Sequence, residues 1–598
     1  MTHSRLLPVN EIVLQAGPLH MIFSPEESAV RWIHAGGHEV LRGINAPVRD
    51  RGWGTVPPHV EDLHVERGGR GFRVTFVVRC RSSEVDFRWC GELTGAPDGT
   101  LEFTFEGEAL ADFVRNRIGF CVLHPASLSG ALCAVEHVDG SVELTRFPEE
   151  IQPHQPALEI RAIRHEVAPG LMAEVRMEGD TFEMEDQRNW TDASFKTYCP
   201  SLALPTPVAI TRGTRIRQRV GLRLIGEVRP AEPDFQPPWA PAKEVKVTLG
   251  RGRATALPCL GTMWNAPVVT DEIVTALRPL ALDHLRVDLL LADEHYRERL
   301  RSGAAAAARL AVALELAVWV GDRPREKLER LCDELGRLEP LPRVARWMIF
   351  DGAHACTPPA WVDALRKVVA GTAFAVPVGG GAAENFAELN RGRAVAEVGD
   401  FTVHAINPQV HAGDDASLFE TLPVQGLTVS AARRISGGRP VCVSPVTLTR
   451  RWRKTDPGCP VFKGPDGCGP FQDDARFGGS LAAAWTFGSL AALHAAGAAS
   501  VTCHEVVGPN GLLDENVRPH PLAAVFKSFA GRTDAADAVP ALRAEDGVAA
   551  VAFRRRSRSV LAVANLRSIA RVVHIDGAWG ERRVSLAPHG IGCVEMDP

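Results

Sequence analysis

Long hydrophobic runs are missing from this chain of 598 residues: no window reaches the roughly eighteen consecutive apolar residues that a membrane-crossing helix needs. The opening stretch from Met1 to Gly17 has no basic segment followed by an apolar run, so no secretory leader is expected and a cytoplasmic protein is. Cysteine is sparse and scattered. Thirteen occur, an odd number, between Cys80 and Cys593, without a Cys-x-x-Cys pair or a Cys/His ladder at zinc spacing. That excludes a disulfide framework and a structural zinc site, and leaves free thiols that are expected to be mostly buried. Charge of one sign is also lacking. The formal net charge is −5 and the basic residues are dispersed, so nucleic acid is not an expected partner. There is no Gly-x-Ser-x-Gly elbow, no phosphate-binding Gly-x-x-x-x-Gly-Lys-Ser/Thr, no His-Glu-x-x-His and no Gly-x-Gly-x-x-Gly after a strand. Serine-esterase, ATP and NAD chemistry lose support accordingly.

What is present is ordinary globular material, 45% hydrophobic and 23% charged, long enough for about two to four domains. Residues 1–228 carry short alternating apolar runs at 72–78, 85–89, 101–105, 142–147, 171–177 and 214–224, broken by Gly, Pro, Asp and Ser. Period-two runs at this spacing predict an antiparallel β-sandwich. A proline-rich connector follows at 229–245. From 246 to 532 the rhythm becomes a short apolar strand, a polar tip and a helix-length stretch, which predicts a (β/α)8 TIM-like barrel. Its strands are expected near 257–263, 285–291, 314–320, 346–350, 373–378, 401–406, 441–446 and 500–503, with a long loop at 449–479. Further strand-like runs at 548–553, 559–564, 569–575 and 591–596 predict a small β-sandwich over 533–598. The fold class is multidomain, α/β plus β.

Barrel enzymes carry their reacting groups on the carboxyl ends of the strands. The second strand supplies Arg286 and Asp288 there, and the fourth supplies Asp351 with His354. The fifth runs through Gly379-Gly-Gly to Asn385 and Asn390, where glycines would let backbone approach a ligand. The sixth offers His404, Asn407, Gln409 and His411 ahead of Asp414, and the eighth ends in Glu505. Structural readings compete at each position: Arg286 and Asp288 as a simple ion pair, His404 as a core residue, Asp414 or Asp415 as a helix cap. In the sandwich, Phe182-Glu-Met-Glu-Asp-Gln-Arg-Asn-Trp-Thr-Asp-Ala-Ser-Phe-Lys-Thr-Tyr is dense in polar groups, with Glu185, Arg188 and Trp190 prominent. It is a sugar site with Trp190 as a stacking platform, a structural ion network, or a loop completing the barrel site.

That motif, the Gly379-Gly-Gly turn with Asn385 and Leu389-Asn-Arg, Ile406-Asn-Pro-Gln-Val-His411, and Glu505-Val-Val-Gly-Pro-Asn-Gly together resemble the D-apionate lactonase family over roughly residues 10–530. The resemblance implies a sugar-acid catabolic enzyme that opens D-apionolactone to D-apionate, with a barrel similar to clan-A glycoside hydrolases. It also implies a galactose-mutarotase-like sandwich, into which Arg115-Asn-Arg117 to His124-Pro fits. The chain departs from retaining glycosidases, whose paired carboxylates stand about 5 Å apart at the ends of strands four and seven. Strand seven here runs Ser444-Pro-Val-Thr447-Leu-Thr449 and carries no carboxylate.

Lactone hydrolysis needs a base for water, donors for the oxyanion and an acid for the leaving alkoxide, and requires no metal or other cofactor. On chemical grounds Glu505 is the expected base and His411 or His404 the acid. Asn385, Asn407 or Arg286 would stabilise the oxyanion. Asp288, Gln409 and Asn390 would hold hydroxyls, and Asp351, Glu185, Arg188 and Trp190 complete the expected binding set. The partner is a small-molecule sugar lactone, with oligomeric state left open. Rival readings are a glycoside hydrolase on a plant-derived glycan using Asp351 and Glu505, a non-catalytic carbohydrate-binding protein, and a metal-assisted hydrolase using His404, His411 and Asp414.

Overall fold

The computed structural model describes residues 11–228, 244–250, 257–321, 323–351, 354–451, 474–532, 541–544, 547–555, 558–577 and 581–596. Most of the proline-rich connector and positions 452–473 of the long loop lie outside them. The chain divides into two compact units, Met1–Arg188 with Ala193–Pro241, and Asn189–Asp192 with Ala242–Pro598.

The first unit is built of antiparallel strands. All six expected runs fall in strands: Gly71–Arg81, Asp86–Gly95, Leu101–Ala109, Val142–Arg146, Leu171–Glu178 and Arg215–Ile225. Five of them lie on one hydrogen-bonded path that starts at Ile12–Ala16 and ends at Pro58–Gly68, and Val142–Arg146 joins the same sheet off that path through Leu132–His137. Alternation sets the faces. Along Leu101–Ala109, Leu101, Phe103 and Phe105 are buried, whereas Glu106 between the buried positions is exposed. The inward aromatics interlock, Trp89 lying 4.8 Å from Phe105 and 5.4 Å from Phe76 between ring centroids. Tilted and edge-on contacts of this kind add to the burial of large apolar surfaces.

In the second unit eight parallel strands close on themselves: β1 (Cys259–Met263), β2 (His284–Leu290), β3 (Ala313–Trp319), β4 (Val344–Phe350), β5 (Val378–Gly381), β6 (Thr402–Ile406), β7 (Val441–Val446) and β8 (Ser500–Val507). Pairing of β1 with β8 seals the cylinder. Helices follow the strands, among them Tyr296–Leu310 after β2, Pro324–Gly336 after β3, Leu422–Ile435 after β6 and Ser480–Ala495 after β7.

One strand departs from expectation. β5 begins at Val378, where the apolar run 373–378 was expected to end, because Pro377 has no N–H for a ladder and can only accept, from Trp347 N at 2.9 Å. Three glycines then form the strand. Their lack of side chains serves close packing against the neighbouring strand. A Cβ on Gly379 would lie 2.5 Å from the Phe401 ring, and one on Gly381 would lie 1.9 Å from Val403 O.

The terminal domain borrows a strand from ahead of the barrel. Glu244–Gly250 pairs in parallel with Arg571–Gly577 and antiparallel with Ala541–Ala544, in a sheet completed by Arg582–Leu586. Val245 and Val247 are buried there with Leu561, Val563, Val573 and Ile575. The second sheet holds Val548–Arg555, Arg558–Asn565 and Ile591–Met596. No helix among the described residues is long and apolar enough to cross a membrane.

Replacing Gly381 by Ala forces β5 away from β6, so a loss of about 1–3 kcal/mol is expected, read as a lower urea midpoint with an unchanged m-value.

Candidate active site at the barrel mouth

Period-two strands point alternate residues into the cylinder, and in this barrel several of those residues are charged. Glu315 of β3, wholly buried, is the hub. Ser444 Oγ of β7 donates to its Oε1 at 2.5 Å and Thr502 Oγ1 of β8 at 2.8 Å. The guanidinium of Arg346 stands 3.8 Å from Oε2, and His284 Nε2 lies 3.4 Å from Oε2 and 2.8 Å from Thr502 Oγ1. Burial pushes the Glu315 carboxyl up, but His284, Arg346 and Arg286 outweigh it and hold it below the usual range.

Opposite it in the β2–β3 register lies Arg286, also wholly buried. Its Nη1 donates to Ser444 Oγ at 2.9 Å and its Nε to Asp288 Oδ1 at 2.8 Å. Its Nη2 is buried with no hydrogen-bond partner among the described residues. The guanidinium carbon is 5.8 Å from the Trp319 ring and 5.9 Å from that of Phe350. Asp288 is shared with Arg451, which also donates to it. Burial raises the Asp288 carboxyl, yet the two arginines hold it below its ordinary value. A guanidinium with an unsatisfied N–H in an apolar setting is a strong donor for an incoming oxygen, because leaving it unpaired costs free energy.

Glu505 owes its place to a break in β8. Gly261 of β1 pairs with Thr502 and Met263 with Glu505, so Cys503 and His504 together stand opposite Thr262. His504 takes the extra step with φ 54°, a conformation rare outside glycine. Its ring turns onto helix Ser480–Ala495, where Nε2 meets Thr486 Oγ1 at 2.8 Å. Glu505, half-buried, follows at the strand's carboxyl end, with Asn265 Nδ2 3.3 Å from its Oε2. Asn265 is itself fixed by Val507 N, which donates to its Oδ1 at 3.0 Å.

His411, past the end of β6, contacts the short segment Asn189–Asp192, which groups with the barrel unit although the chain on either side of it does not. His411 Nδ1 is 2.8 Å from Asp192 Oδ2, and the Trp190 ring stands perpendicular to the imidazole at 5.3 Å. Arg391 lies over Trp190 at 5.3 Å, and Asn390 Nδ2 donates to Asn189 Oδ1 at 2.9 Å.

Other expected site residues are placed differently. His404 is wholly buried behind β6, with Nε2 3.0 Å from Thr428 Oγ1 of helix Leu422–Ile435. Burial brings its imidazole down to about 3, so it is neutral at physiological pH and is not a proton donor to the mouth. Gln409 is occupied by Leu448 O and Asp474 Oδ2, both at 2.9 Å, and by Arg476 at 3.1 Å; it laces two loops together instead of reaching for hydroxyls. Asn390 is likewise taken up, by Asn189 and by Arg393 Nη2 at 2.8 Å. Asn407 Nδ2 donates to Asn385 Oδ1 at 3.1 Å, and its own Oδ1 is buried without a partner among the described residues. An orphan acceptor suits a hydroxyl and not an oxyanion. Asn385 opens helix Phe386–Arg391 in a capping box with Glu388. Asp351 is buried and bound to His354 Nδ1 at 2.5 Å.

The polar motif of the first unit splits in two. Arg188 is wholly enclosed, with Nε and Nη2 on Asp186 at 2.8 and 2.7 Å and further bonds to Ser129 Oγ and Pro148 O. It is a structural staple, and no hydrogen-bonding edge remains for a sugar. Glu185 pairs with Lys196 across adjacent strands. Only Asn189–Asp192 joins the barrel. No group of three His, Cys, Asp or Glu among the described residues is arranged to hold a metal ion, and Asp414 instead caps helix Asp415–Glu420 through Ser417 N.

Sequence reasoning missed Glu315, Asn265, Arg451 and Asp192 as parts of this assembly. Glu315 had a signal, a lone acid in the apolar run Ala-Leu-Glu-Leu-Ala-Val-Trp at an inward position. Asn265 and Arg451 had none, since their partners are remote in sequence.

A closed parallel barrel whose acid, imidazole and arginine groups stand at the carboxyl ends of its strands defines a TIM-barrel protein of the enzyme type. More particularly, the chain belongs to the D-apionate lactonase family. Residues 3–227 match the family's N-terminal domain and 264–536 its TIM barrel domain. A D-apionate lactonase of Brucella anthropi is 34% identical over 550 residues, 87% of this chain and 87% of that protein. Among solved structures, a GH30 endoxylanase from Clostridium papyrosolvens is similar with a TM-score of 0.41 and 10% identity, covering 59% of this chain and all of its own. A glycoside hydrolase family 30 xylanase from Clostridium acetobutylicum gives 0.40 and 10%, covering 60% of this chain and 100% of its own.

The lowered Glu315 carboxyl ties stability to pH. A group depressed in the folded state contributes stability above its unfolded value of about 4.3, and that contribution is lost as pH falls through the folded value. Glu315→Gln should therefore lower stability at pH 7 by about 3 kcal/mol and flatten its decline between pH 5 and pH 2, measured by urea midpoints across pH.

Proposed function

We propose that this protein hydrolyses D-apionolactone to D-apionate, a step of branched-sugar catabolism, at the mouth of its barrel. Two facts support the substrate and the chemistry together: 34% identity to a D-apionate lactonase over most of both chains, and a buried Arg286 guanidinium whose Nη2 has no partner among the described residues.

In this reading Glu505 takes a proton from water as the water oxygen adds to the lactone carbonyl. The negative charge passes to the carbonyl oxygen, and Arg286 Nη2 donates to it. Asp288 and Ser444 hold the guanidinium in place at 2.8 and 2.9 Å, so little reorganisation is needed when the charge forms. Collapse of the adduct breaks the bond from the carbonyl carbon to the ring oxygen, and His411 protonates that oxygen as it leaves. The acid product ionises, and Glu505 and His411 exchange protons with solvent to reset. Asn407 Oδ1 accepts from a substrate hydroxyl, and Trp190 offers an apolar face to the sugar carbons.

The test is a pH-indicator assay of the purified protein over a panel of sugar lactones, with and without chelator. Turnover of D-apionolactone that persists in chelator is expected. Binding without turnover on any lactone, or release of an aglycone from apiosides instead, would overturn the reading. Glu505→Gln should lower turnover by about 10²-fold or more, and Arg286→Met by about 10²–10³-fold, with both proteins folded.

A further inference from the structure

Asp192 lies outside the barrel in sequence and yet makes a hydrogen bond to the ring on which the proton-donor role depends. We propose that Asp192 is a positioning residue for His411, and that Asn189–Asp192 is clamped into the barrel unit to present it. The inference rests on the reading of His411 as the acid.

The geometry is specific. Asp192 Oδ2 sits 2.8 Å from His411 Nδ1, with both side chains largely withdrawn from solvent, at 14% and 19% exposure. A carboxylate at that distance accepts the Nδ1 proton, which fixes the tautomer and directs Nε2 to the working side. It also stabilises the imidazolium, so a donor proton is at hand when the alkoxide forms. The backbone between Trp190 and Asp192 is bent to reach this arrangement. Thr191 has φ 71°, in the left-handed region that a β-branched residue rarely occupies, and strain of this order persists only where surrounding contacts enforce it.

Those contacts are present on both sides. Asn390 holds Asn189 at 2.9 Å, and Arg393 in turn holds Asn390 at 2.8 Å. Arg391 lies over one face of Trp190, whose ring packs against that of His411 with the planes at 87°. Asn390 and Arg391 end helix Phe386–Arg391, so one turn of helix serves as the clamp. The segment thus orients His411 in two ways, by a carboxylate at Nδ1 and by an indole packed perpendicular to the ring.

Asp192→Asn separates positioning from tethering, because the amide keeps the size and a hydrogen-bonding oxygen but loses the charge. For a positioning role, kcat on the lactone falls about tenfold or more, KM changes less than about threefold, and the melting temperature stays put. The double variant Asp192→Asn/His411→Gln is then no slower than His411→Gln alone, since the two groups act as a unit. Asn390→Ala, which leaves Asp192 intact and releases Asn189, provides the second measurement: a lower kcat that also vanishes in the His411→Gln background. Wild-type turnover in Asp192→Asn, or losses that multiply in the double variant, overturns the proposal. If His411→Gln itself turns over normally, the acid role falls and takes this proposal with it. A slow His411→Gln beside a normal Asp192→Asn refutes the proposal alone.

Discussion

Burying a carboxylate in the middle of a barrel is costly unless donors and positive charge surround it, and Glu315 draws on its neighbours around the ring for both, with hydrogen bonds to Oε1 and a cation beside Oε2. Hydroxyls from β7 and β8 bond its Oε1, a guanidinium of β4 and an imidazole of β2 stand 3.8 and 3.4 Å from its Oε2, and through Ser444 it is linked to Arg286. Most barrel interiors are filled by layers of branched apolar side chains. Here polar side chains take that place, and their geometry fixes Arg286, which is held by Ser444 and Asp288 so that its remaining N–H groups have a defined direction.

Above those side chains the barrel wall is uneven. Trp319 and Phe350, 4.8 Å apart, make β3 and β4 an apolar side. Glu505 and Asn265 at the ends of β8 and β1, with Asp288 of β2 and Arg451 beyond β7, make the other side polar and charged. A cyclic ester has the same division, carbon skeleton on one side and carbonyl on the other. The bulge in β8 matters to this asymmetry, because a regular strand would have given His504 the position that Glu505 holds.

The three-part architecture and seven of the eight barrel strands were legible because alternation and βα rhythm are local signals. β5 was misplaced for an equally local reason: propensity favours Phe374, Ala375 and Val376 over three glycines, while the ladder needs the N–H groups that begin after Pro377. Of the site, the residues at strand ends could be named, but not which face they take. His404 and Gln409 sit in the same sequence stretch as His411, and only tertiary packing shows that one is buried against a helix and the other laced into a loop. Arg188 and Trp190 are two residues apart and belong to different units, a division that periodicity has no means to reveal.

The strand Glu244–Gly250 carries a lesson about modularity. It precedes the barrel, whereas every strand it touches comes after, so the barrel is inserted between the first strand of a small sandwich and the rest of it. Its two ends are stitched into a single fabric. Evolution could lengthen or trade the loops on the barrel rim freely, but it could not excise the cylinder at either seam without unravelling that fabric and baring Val245 and Val247 to water.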